Sequence, residues 1–333
     1  MAGLIAAARA RELGAEPLVY EKGTRAGGSM ILSSGFVWRY RSLDVHLEQC
    51  PGADEALART IVERFDATLD WLESRGVELL TRETGNPLTV GARFDPRQLV
   101  ATLARDVRLG ETTEEPTILA TGGFPARLAR ERGLMLRANP WSEGDGLKLA
   151  LARGGAVAGD LDEFYGRAMP AVDRIAEDDF VRLTQLYGRY ASVRSRDGDE
   201  EFDGEPTWSE IDLVQQIARW PGGLAWYAVE ADALGERVRD RTVGEMIDAA
   251  RDAGAPIRTE NGRVSVLVCA SVTQTIGGIR IDERARVLAE TGERIEGLYA
   301  AGVDAGGWAT GGYSSGLGAA LVFGKFAAES ALG

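Results

Sequence analysis

The sequence predicts an α/β fold built on a buried parallel sheet, and three short segments lead to that prediction. Each is a brief apolar strand that runs directly into glycine or an acid, at residues 17–21, 117–123 and 297–302. Such strands are typical of parallel sheets that are covered on both faces and whose carboxyl ends face a ligand. Glycine is also abundant, at 42 of 333 residues or about 13%, against an average near 7%.

Length and composition narrow the class of protein. A chain of 333 residues with 44% hydrophobic and 27% charged residues is long enough for one large or two ordinary globular domains. The formal net charge of −13 disfavours nucleic acid or an anionic membrane surface as a partner, because both reward clustered Lys and Arg. No apolar run approaches the ~18 residues of a membrane-spanning helix. We therefore expect a small-molecule partner.

Side chains for nucleophilic or metal chemistry are few. Cys50 and Cys269 are too far apart in sequence for a CxxC pair or a zinc motif, so we expect reduced thiols, a cytoplasmic protein and no metal. His46 is the single histidine, which excludes most Ser-His-Asp and multi-histidine metal chemistry. We expect it at the surface or at a helix start. The acids at residues 197–205 lack the glycine and the last acid of a calcium loop, so they predict a solvated turn.

The chain is expected to form two domains, one of which is split in sequence. Residues 1–160 and 265–333 contain the junctions between strand and glycine, whereas residues 161–264 are richer in aromatic side chains and acidic loops. The middle segment is therefore predicted to be an inserted domain. The apolar spacing of residues 55–75 predicts an amphipathic helix that faces the core. The Ala-rich opening predicts another helix, which ends at Gly14.

The opening also carries part of a dinucleotide-binding pattern. Glu21 ends the strand after the first helix, where such a fold places an acid beside the ribose hydroxyls. A GxGxxG loop should precede that helix, and only its last glycine, Gly3, is present. Alone, the pattern is equally consistent with an Ala-rich helix followed by a solvated glutamate. Residues 27–35 support the dinucleotide, because bare backbone and small hydroxyls allow close approach of a diphosphate.

The carboxy-terminal segment extends this pattern. Residues 300–318 are rich in glycine and lead into a predicted helix. The amino terminus of a helix presents free amides and the positive end of its dipole, which suit the electron-rich edge of a reduced flavin.

Together these segments resemble the flavoprotein subunit family of fumarate reductase and succinate dehydrogenase, which includes the 3-ketosteroid dehydrogenases. The resemblance is carried, in the family's order, by MAGLIAAARARELGAEPLVYEKGTRAGGSMILSSG, TILATGGF, NPWSEGDGLKLALARGG, SVTQTIGGIRID and GLYAAGVDAGGWATGGYSSGLGAALVFGKFAA. It implies non-covalent FAD and a Rossmann-like FAD-binding domain split around an α+β capping domain. The implied reaction exchanges hydride at flavin N5 with a carbon–carbon bond next to a carbonyl or carboxyl group.

The resemblance also implies which residues contact FAD. Those near its adenosine and diphosphate are Gly3, Glu21, Lys22, Gly27, Gly28, Ser29, Thr121, Gly122 and Asp145. Those near the flavin and its ribityl chain are Ser33, Ser34, Gly35, Gly302, Asp304, Ser315, Gly316 and Leu317.

Departures from the family's pattern refine the expected activity. Covalent members attach FAD through a histidine near the Gly-Ser turn, and residues 25–29 read RAGGS, which predicts non-covalent FAD. Fumarate reductases bind substrate carboxylates with a histidine and an arginine in a segment that here reads GGYSS, at residues 311–315. That difference favours an apolar or carbonyl-bearing substrate.

Three residues are candidates for catalysis. Tyr313, beside the flavin by motif position, can transfer the companion proton. Tyr165 and Arg167 lie where the chain enters the inserted domain. The alternatives are a packed aromatic ring for Tyr165 and an ion pair for Arg167.

Alternatives to this activity are a 3-ketosteroid 1,2-dehydrogenase and a flavin-binding protein without turnover, and the sequence does not identify the electron donor or acceptor.

The family's first strand, with the two leading glycines, would precede Met1. Without it the centre of the sheet would be vacant and two strands would expose unpaired edges. Residues 105–116 and 259–266 are also shorter than the family's pattern. We expect the sequence to be part of a longer chain.

Overall fold

The computed structural model describes residues 1–333 and divides into two compact units. The first unit comprises Met1–Pro125, Asn139–Glu163 and Gln274–Gly333, and the second comprises Ala126–Ala138 and Phe164–Thr273. Helices and strands alternate through the chain, which confirms the predicted α/β class.

The secondary structure comprises α-helices and short strands. The helices are α1 Ala2–Glu12, α2 Leu43–Gln49, α3 Glu55–Ser74, α4 Pro96–Leu103, α5 Pro125–Arg132, α6 Asp145–Ala152, α7 Phe180–Leu183, α8 Ile211–Arg219, α9 Val243–Asp252 and α10 Gly316–Leu332. The strands are β1 Val19–Glu21, β2 Phe36–Tyr40, β3 Leu79–Thr81, β4 Thr89–Phe94, β5 Val107–Leu109, β6 Ile118–Leu119, β7 Met135–Leu136, β8 Val157–Ala158, β9 Phe164–Tyr165, β10 Ala168–Pro170, β11 Ala191–Ser195, β12 Leu224–Glu230, β13 Arg237–Val238, β14 Arg241–Thr242, β15 Ile257–Glu260, β16 Arg263–Val272, β17 Gln274–Thr275, β18 Gly278–Ile279, β19 Arg286–Leu288 and β20 Arg294–Ala300. None of the helices combines the length and the apolar character needed to cross a bilayer.

The predicted elements of the first unit are present. The helices expected in the Ala-rich opening and over residues 55–75 are α1 and α3. Asp54 caps α3, because its Oδ1 accepts the backbone N–H groups of Ala56 and Leu57 that lack partners within the helix. The three strands that led to the fold prediction are β1, β6 and β20.

The domain boundaries differ from the predicted ones at 160/161 and 264/265. The second unit begins at Phe164 and ends at Thr273, and it also includes Ala126–Ala138. The later boundary at 264/265 would cut β16, which pairs with β10, β12 and β15. A central strand cannot be divided between domains without breaking its hydrogen-bonded ladders. Residues 126–138 join this unit because β7 pairs with the end of β16.

The parallel strands of the first unit form two separate pairs. β1 runs parallel to β5, and β6 runs parallel to β20, whose other edge pairs with β19. No strand pairs with the second edge of β1 or of β6.

Small residues allow α1 and α10 to pack closely. Ala6 and Ala10 of α1 form a buried cluster with Ala328 of α10. A Cβ at Gly324 would lie only 2.8 Å from the carbonyl oxygen of Ala2, so a larger residue there would separate the helices. Beside this contact lies an apolar core that includes Ile5 and Phe65, both with 0% exposed surface.

The second unit is built around an antiparallel sheet in the order β10-β16-β12-β11, with β15 also paired to β16. Along β12 the side chains of Ala225, Tyr227 and Val229 are buried, and those between them are more exposed. This alternation is typical of a sheet with one covered face. Together with α8 and α9 it gives the α+β character predicted for the inserted domain.

Replacing Phe65 by alanine should destabilise the first unit, because its ring is fully buried in the core between α1, α3 and α10. We expect Phe65→Ala to lower the free energy of unfolding by about 3–5 kcal/mol, measured by urea denaturation followed by circular dichroism. Glu63→Ala, on the exposed face of the same helix, should change it by less than about 0.5 kcal/mol. Equal effects of the two substitutions would contradict the packing described.

Candidate functional site

A buried carboxylate joins the ends of two parallel strands. Asp304 follows β20, is 1% exposed, and accepts hydrogen bonds from the segment after β6. Its Oδ1 accepts from Thr121 Oγ1 at 2.8 Å and from the Gly123 N–H at 3.0 Å, and its Oδ2 accepts from the Thr121 N–H. Burial raises the pKa of Asp304, and these hydrogen bonds oppose the rise. We call these groups the Asp304 pin.

The start of α6 packs against the Asp304 pin. The Gly146 N–H donates to Thr121 Oγ1 at 3.1 Å, and a Cβ at Gly146 would lie 2.9 Å from Asp304 Oδ2. At the same helix start, Asp145 pairs with Lys22 Nζ at 2.7 Å, on the surface. The amino terminus of α6 and the turn after β1 are therefore held at one edge of the first unit.

Glu21 organises the turn after β1. Its Oε1 accepts the Gly23 N–H at 2.8 Å. The indole of Trp141 lies so close that a Cβ at Gly23 would be 2.4 Å from its Cε3 atom. The Arg25 guanidinium stacks on the same indole, with Cζ 5.3 Å from the ring centroid, within the range of a cation–π interaction. The turn thus has an acid, a cation and a flat aromatic face.

The next glycine turn is compact because its glycines have no side chains. Gly27 has a φ of +104°, and a Cβ there would lie 2.5 Å from Ile31 Cγ2. Ser29 Oγ accepts the Asn139 N–H at 3.0 Å. The predicted contacts Gly28 and Ser29 open the 3₁₀ turn Gly28–Leu32.

The following segment turns directly into β2. Ser33 Oγ accepts the Gly35 N–H at 3.1 Å, and the Ser34 carbonyl accepts from Arg93 Nε at 3.0 Å. Gly35 has a φ of +76°, and a Cβ there would lie 2.0 Å from the Phe94 carbonyl oxygen. Glycine is therefore needed at this position by both conformation and space.

The amino terminus of α10 presents free amides among unpaired polar groups. Ser315 caps the helix by accepting the Gly318 N–H at 3.1 Å, whereas the N–H groups of Gly316 and Leu317 have no acceptor within the helix. Gln274 Nε2 and Ser314 Oγ are buried here without a hydrogen-bond partner. Gln274 lies against Gly316, where a Cβ would be 2.1 Å from its Oε1.

Tyr313, the first catalytic candidate, precedes this helix and is anchored through its backbone. Tyr40 Oη donates to the Tyr313 carbonyl at 2.7 Å, and the Trp38 ring packs edge-on against the Tyr313 ring, with centroids 5.7 Å apart. The segment before Tyr313 is held by His46, whose Nε2 lies 2.8 Å from the Trp308 carbonyl oxygen. The Tyr313 side chain itself is partly exposed.

His46 is buried near the start of α2, so of the two expected positions the helix start is confirmed and the surface was wrong. It sits within the first turns of α2 and is 0% exposed, with its ring 5.3 Å from that of Tyr40. Its position follows from the shape of the Trp308 segment, which places a carbonyl opposite the imidazole. No local sequence signal indicates such a long-range partner.

The other two catalytic candidates, Tyr165 and Arg167, belong to the second unit. Each is 6% exposed, and Arg167 Cζ lies 5.1 Å above the Tyr165 ring. Arg167 also forms a buried ion pair with Glu210, at 3.8 Å.

Comparison with known proteins gives the family. The model of the FAD binding domain family matches residues 1–108 and 99–321. The chain belongs to the FAD-binding domain family. A search of curated proteins gave no match.

Solved structures of flavoproteins share the fold. An open-conformation flavocytochrome c3 fumarate reductase is 20% identical with a TM-score of 0.71, covering 99% of this chain and 76% of the other. The 3-ketosteroid-Δ4-(5α)-dehydrogenase of Rhodococcus jostii RHA1 is 18% identical with a TM-score of 0.71, covering 100% and 95%. The 3-ketosteroid Δ1-dehydrogenase of Sterolibacterium denitrificans is 15% identical with a TM-score of 0.71, covering 99% and 97%. At these identities the similarity establishes the fold.

The described residues fit FAD in two ways. The buried and unpartnered Gln274 Nε2 and Ser314 Oγ and the first amides of α10 offer hydrogen bonds to a polar ring edge. The glycine turns after β1 and β6 remove side chains where a diphosphate would approach backbone amides. The FAD-binding domain thus supplies donors at the start of α10 and bare backbone at the ends of its strands.

Three neighbours of this site were not predicted as functional: Trp141, Gln274 and Tyr40. Trp141 stands in the quoted motif NPW, and an aromatic residue just before a glycine-rich helix start could have been a signal. Gln274 and Tyr40 act through contacts that span 42 and 273 residues of sequence, respectively. No local pattern predicts contacts over such separations.

Replacing Asp304 by asparagine should weaken both the fold and FAD binding. The amide nitrogen would face an N–H or O–H donor of Thr121 or Gly123, which leaves a buried donor unpaired at a cost of about 1–3 kcal/mol. We expect Asp304→Asn to lower the unfolding free energy by that amount and to weaken FAD affinity in a fluorescence titration. Glu48→Gln, on the exposed face of α2, is the control. Wild-type stability in Asp304→Asn would show that the pin does not join the strands.

The single histidine makes a pH prediction measurable. Burial lowers the pKa of His46, and the hydrogen bond to Trp308 opposes the shift. Because the folded pKa lies below the unfolded value of about 6.5, its contribution to stability is present above that pH and is lost as the pH falls below it. NMR of the one imidazole should show a midpoint below 6.5. His46→Gln should flatten the pH dependence of unfolding, and an ordinary midpoint would refute the assignment.

Proposed function

We propose that this protein is an FAD-dependent oxidoreductase that adds or removes two hydrogens across a carbon–carbon bond next to a carbonyl or carboxyl group. The chief support is the family match, which reaches all three sequence-separated parts of the first unit. Further support comes from the shared fold, since the structures compared include a fumarate reductase and two ketosteroid dehydrogenases.

The chemistry divides between the cofactor and the chain. Bound FAD supplies a two-electron acceptor or donor for hydride exchange. The chain must bind the substrate and move the companion proton. In the proposal Tyr313 performs that transfer as a general acid or base, with its backbone fixed by Tyr40. Tyr165 and Arg167 are further candidates, to polarise a substrate carbonyl or donate a proton.

The proposed FAD contacts are the residues that the resemblance assigns, and the proposed attachment is non-covalent. The Asp304 pin supports the proposed contacts, because it holds Thr121 and Gly122 at the end of β6. Asp145 and Lys22 are proposed to bind the adenosine end, although they pair with each other in this structure.

The proposed substrate is apolar or carbonyl-bearing. The segment at residues 311–315 offers a phenol and two hydroxyls and has no cation to bind a dicarboxylate. This favours a ketosteroid-like substrate over fumarate. The alternative is a flavin-binding protein without turnover.

The first experiment tests cofactor and reaction together. Purified protein should be yellow and should release its flavin to the supernatant on acid precipitation. Under anaerobic conditions, 4-androstene-3,17-dione should bleach the oxidised flavin, whereas fumarate should not reoxidise the dithionite-reduced form. If no ketosteroid or saturated acid bleaches the oxidised flavin, and fumarate does not reoxidise the reduced form, the result would favour flavin binding without turnover.

Tyr313→Phe tests the proposed proton transfer. Loss of the phenolic hydroxyl should lower the rate of flavin reduction by about 10²–10⁴-fold, the usual contribution of a general acid or base, with the FAD content unchanged. Tyr299→Phe is the matched control, because its hydroxyl donates to the Ser330 carbonyl in the same unit. Equal rates for Tyr313→Phe and the control would remove Tyr313 from the mechanism.

A further inference from the structure

Arg167 is held firmly within the second unit. Ser271 Oγ donates to the Arg167 carbonyl at 2.8 Å and accepts its N–H at 3.3 Å, so the backbone is fixed. The guanidinium lies above the Tyr165 ring, and its Nη1 donates to the Ser209 carbonyl at 2.8 Å. Its side chain is only 7% exposed. A buried guanidinium of this kind requires a compensating negative charge.

Glu210 supplies that charge from a fixed position. Its Oε2 lies 3.8 Å from Arg167 Nη1, its side chain is 7% exposed, and its Oε1 accepts the Gly188 N–H at 2.9 Å. Gly188 allows this approach, because a Cβ there would lie 2.4 Å from Leu213 Cδ2 and 3.2 Å from Glu210 Oε1.

The backbone of Glu210 adopts a strained conformation that places its carboxylate beside Arg167. Its φ is +53°, a left-handed conformation that a non-glycine residue seldom adopts without a reason. Through that turn Ser209 and Glu210 both face Arg167, one with a carbonyl and the other with a carboxylate. Glu210 Oε2 has no hydrogen-bond partner, so its interaction with Arg167 is purely electrostatic.

We propose that Glu210 is a positioning residue that holds the Arg167 guanidinium in a single orientation through its negative charge. The inference rests on the proposed function, in which Arg167 is a catalytic candidate. It extends that function to a residue outside every motif that indicated the family.

Glu210 also gives the site a pH dependence. The groups whose charges act on it or that are influenced by it are Arg167, Arg189, Asp212, Tyr187 and Tyr227. Burial raises the pKa of Glu210, and Arg167 opposes the rise. Protonation at low pH therefore removes the charge that orients Arg167, so activity should fall as the pH decreases through the raised pKa.

Stability should follow the opposite trend. A carboxyl whose folded pKa is raised contributes stability at low pH that is lost as the pH rises through the folded pKa. The raised pKa of Glu210 therefore makes the protein less stable at higher pH whatever the role of this residue, whereas only the positioning role makes it more active there. The two trends can be measured on the same samples.

The test compares Glu210→Gln, which keeps the acceptor for Gly188 and removes the charge, with Glu205→Gln, an exposed acid of the same loop. In the holoenzyme, reduced by 4-androstene-3,17-dione, we expect Glu210→Gln to lower the rate of flavin reduction by about 100-fold, the effect of a ~1 Å misplacement. The acid limb of its pH profile should disappear. Glu205→Gln should match the wild type in both.

A second readout does not require turnover. Phenylglyoxal labelling, mapped by mass spectrometry, should modify Arg167 faster in Glu210→Gln than in the wild type or Glu205→Gln. Faster labelling without turnover in any variant would support the positioning role and contradict the proposed function. An active Glu210→Gln with an unchanged rate of flavin reduction, acid limb and labelling would overturn the inference. If Glu210→Gln does not fold, Glu210→Asp must retain the acid limb, and loss of that limb would overturn the inference equally.

Discussion

The Asp304 pin is the interaction on which the candidate site depends. Two parallel strands end at the same edge of the first unit, and each is followed by a glycine-rich segment that could take many conformations. The Asp304 carboxylate accepts hydrogen bonds from Thr121 and Gly123, which fixes one segment against the other. The Gly146 N–H then binds Thr121. Three elements distant in sequence are thereby fixed around one buried acid.

This convergence explains why glycine occupies several positions around the Asp304 carboxylate. A carboxylate buried among backbone amides needs those amides to approach closely, and a Cβ at Gly123 or Gly146 would come within 3 Å of a neighbouring oxygen. The same argument applies to Gly316, which touches Gln274 at the start of α10. At these positions glycine therefore reflects close backbone packing more than flexibility.

The strands and helices around the candidate site could be predicted from the sequence because their signals are local. The strands ending at Glu21 and Leu119 and the helix beginning at Gly316 each follow from a short pattern of apolar residues and glycine. Burial of His46 could not be predicted, since it depends on a carbonyl of Trp308, which lies 262 residues away. The unit boundaries differ from the predicted domain boundaries for a similar reason: pairing of β7 with β16 brings in a segment that composition assigned elsewhere. Patterns within about ten residues predict individual helices and strands, whereas contacts between residues hundreds of positions apart leave no local pattern from which to predict them.

The two buried acids show how the surroundings determine what a carboxylate can do. Asp304 receives hydrogen bonds from backbone and hydroxyl donors on both oxygens, so its charge is satisfied by groups that cannot titrate. Glu210 receives one backbone N–H and otherwise faces a guanidinium across 3.8 Å. In both residues burial raises the pKa. Protonating Asp304 would disrupt several hydrogen bonds that hold the strand ends together, whereas protonating Glu210 would chiefly release an arginine. The first acid is therefore suited to fixing structure and the second to modulating the orientation of a side chain.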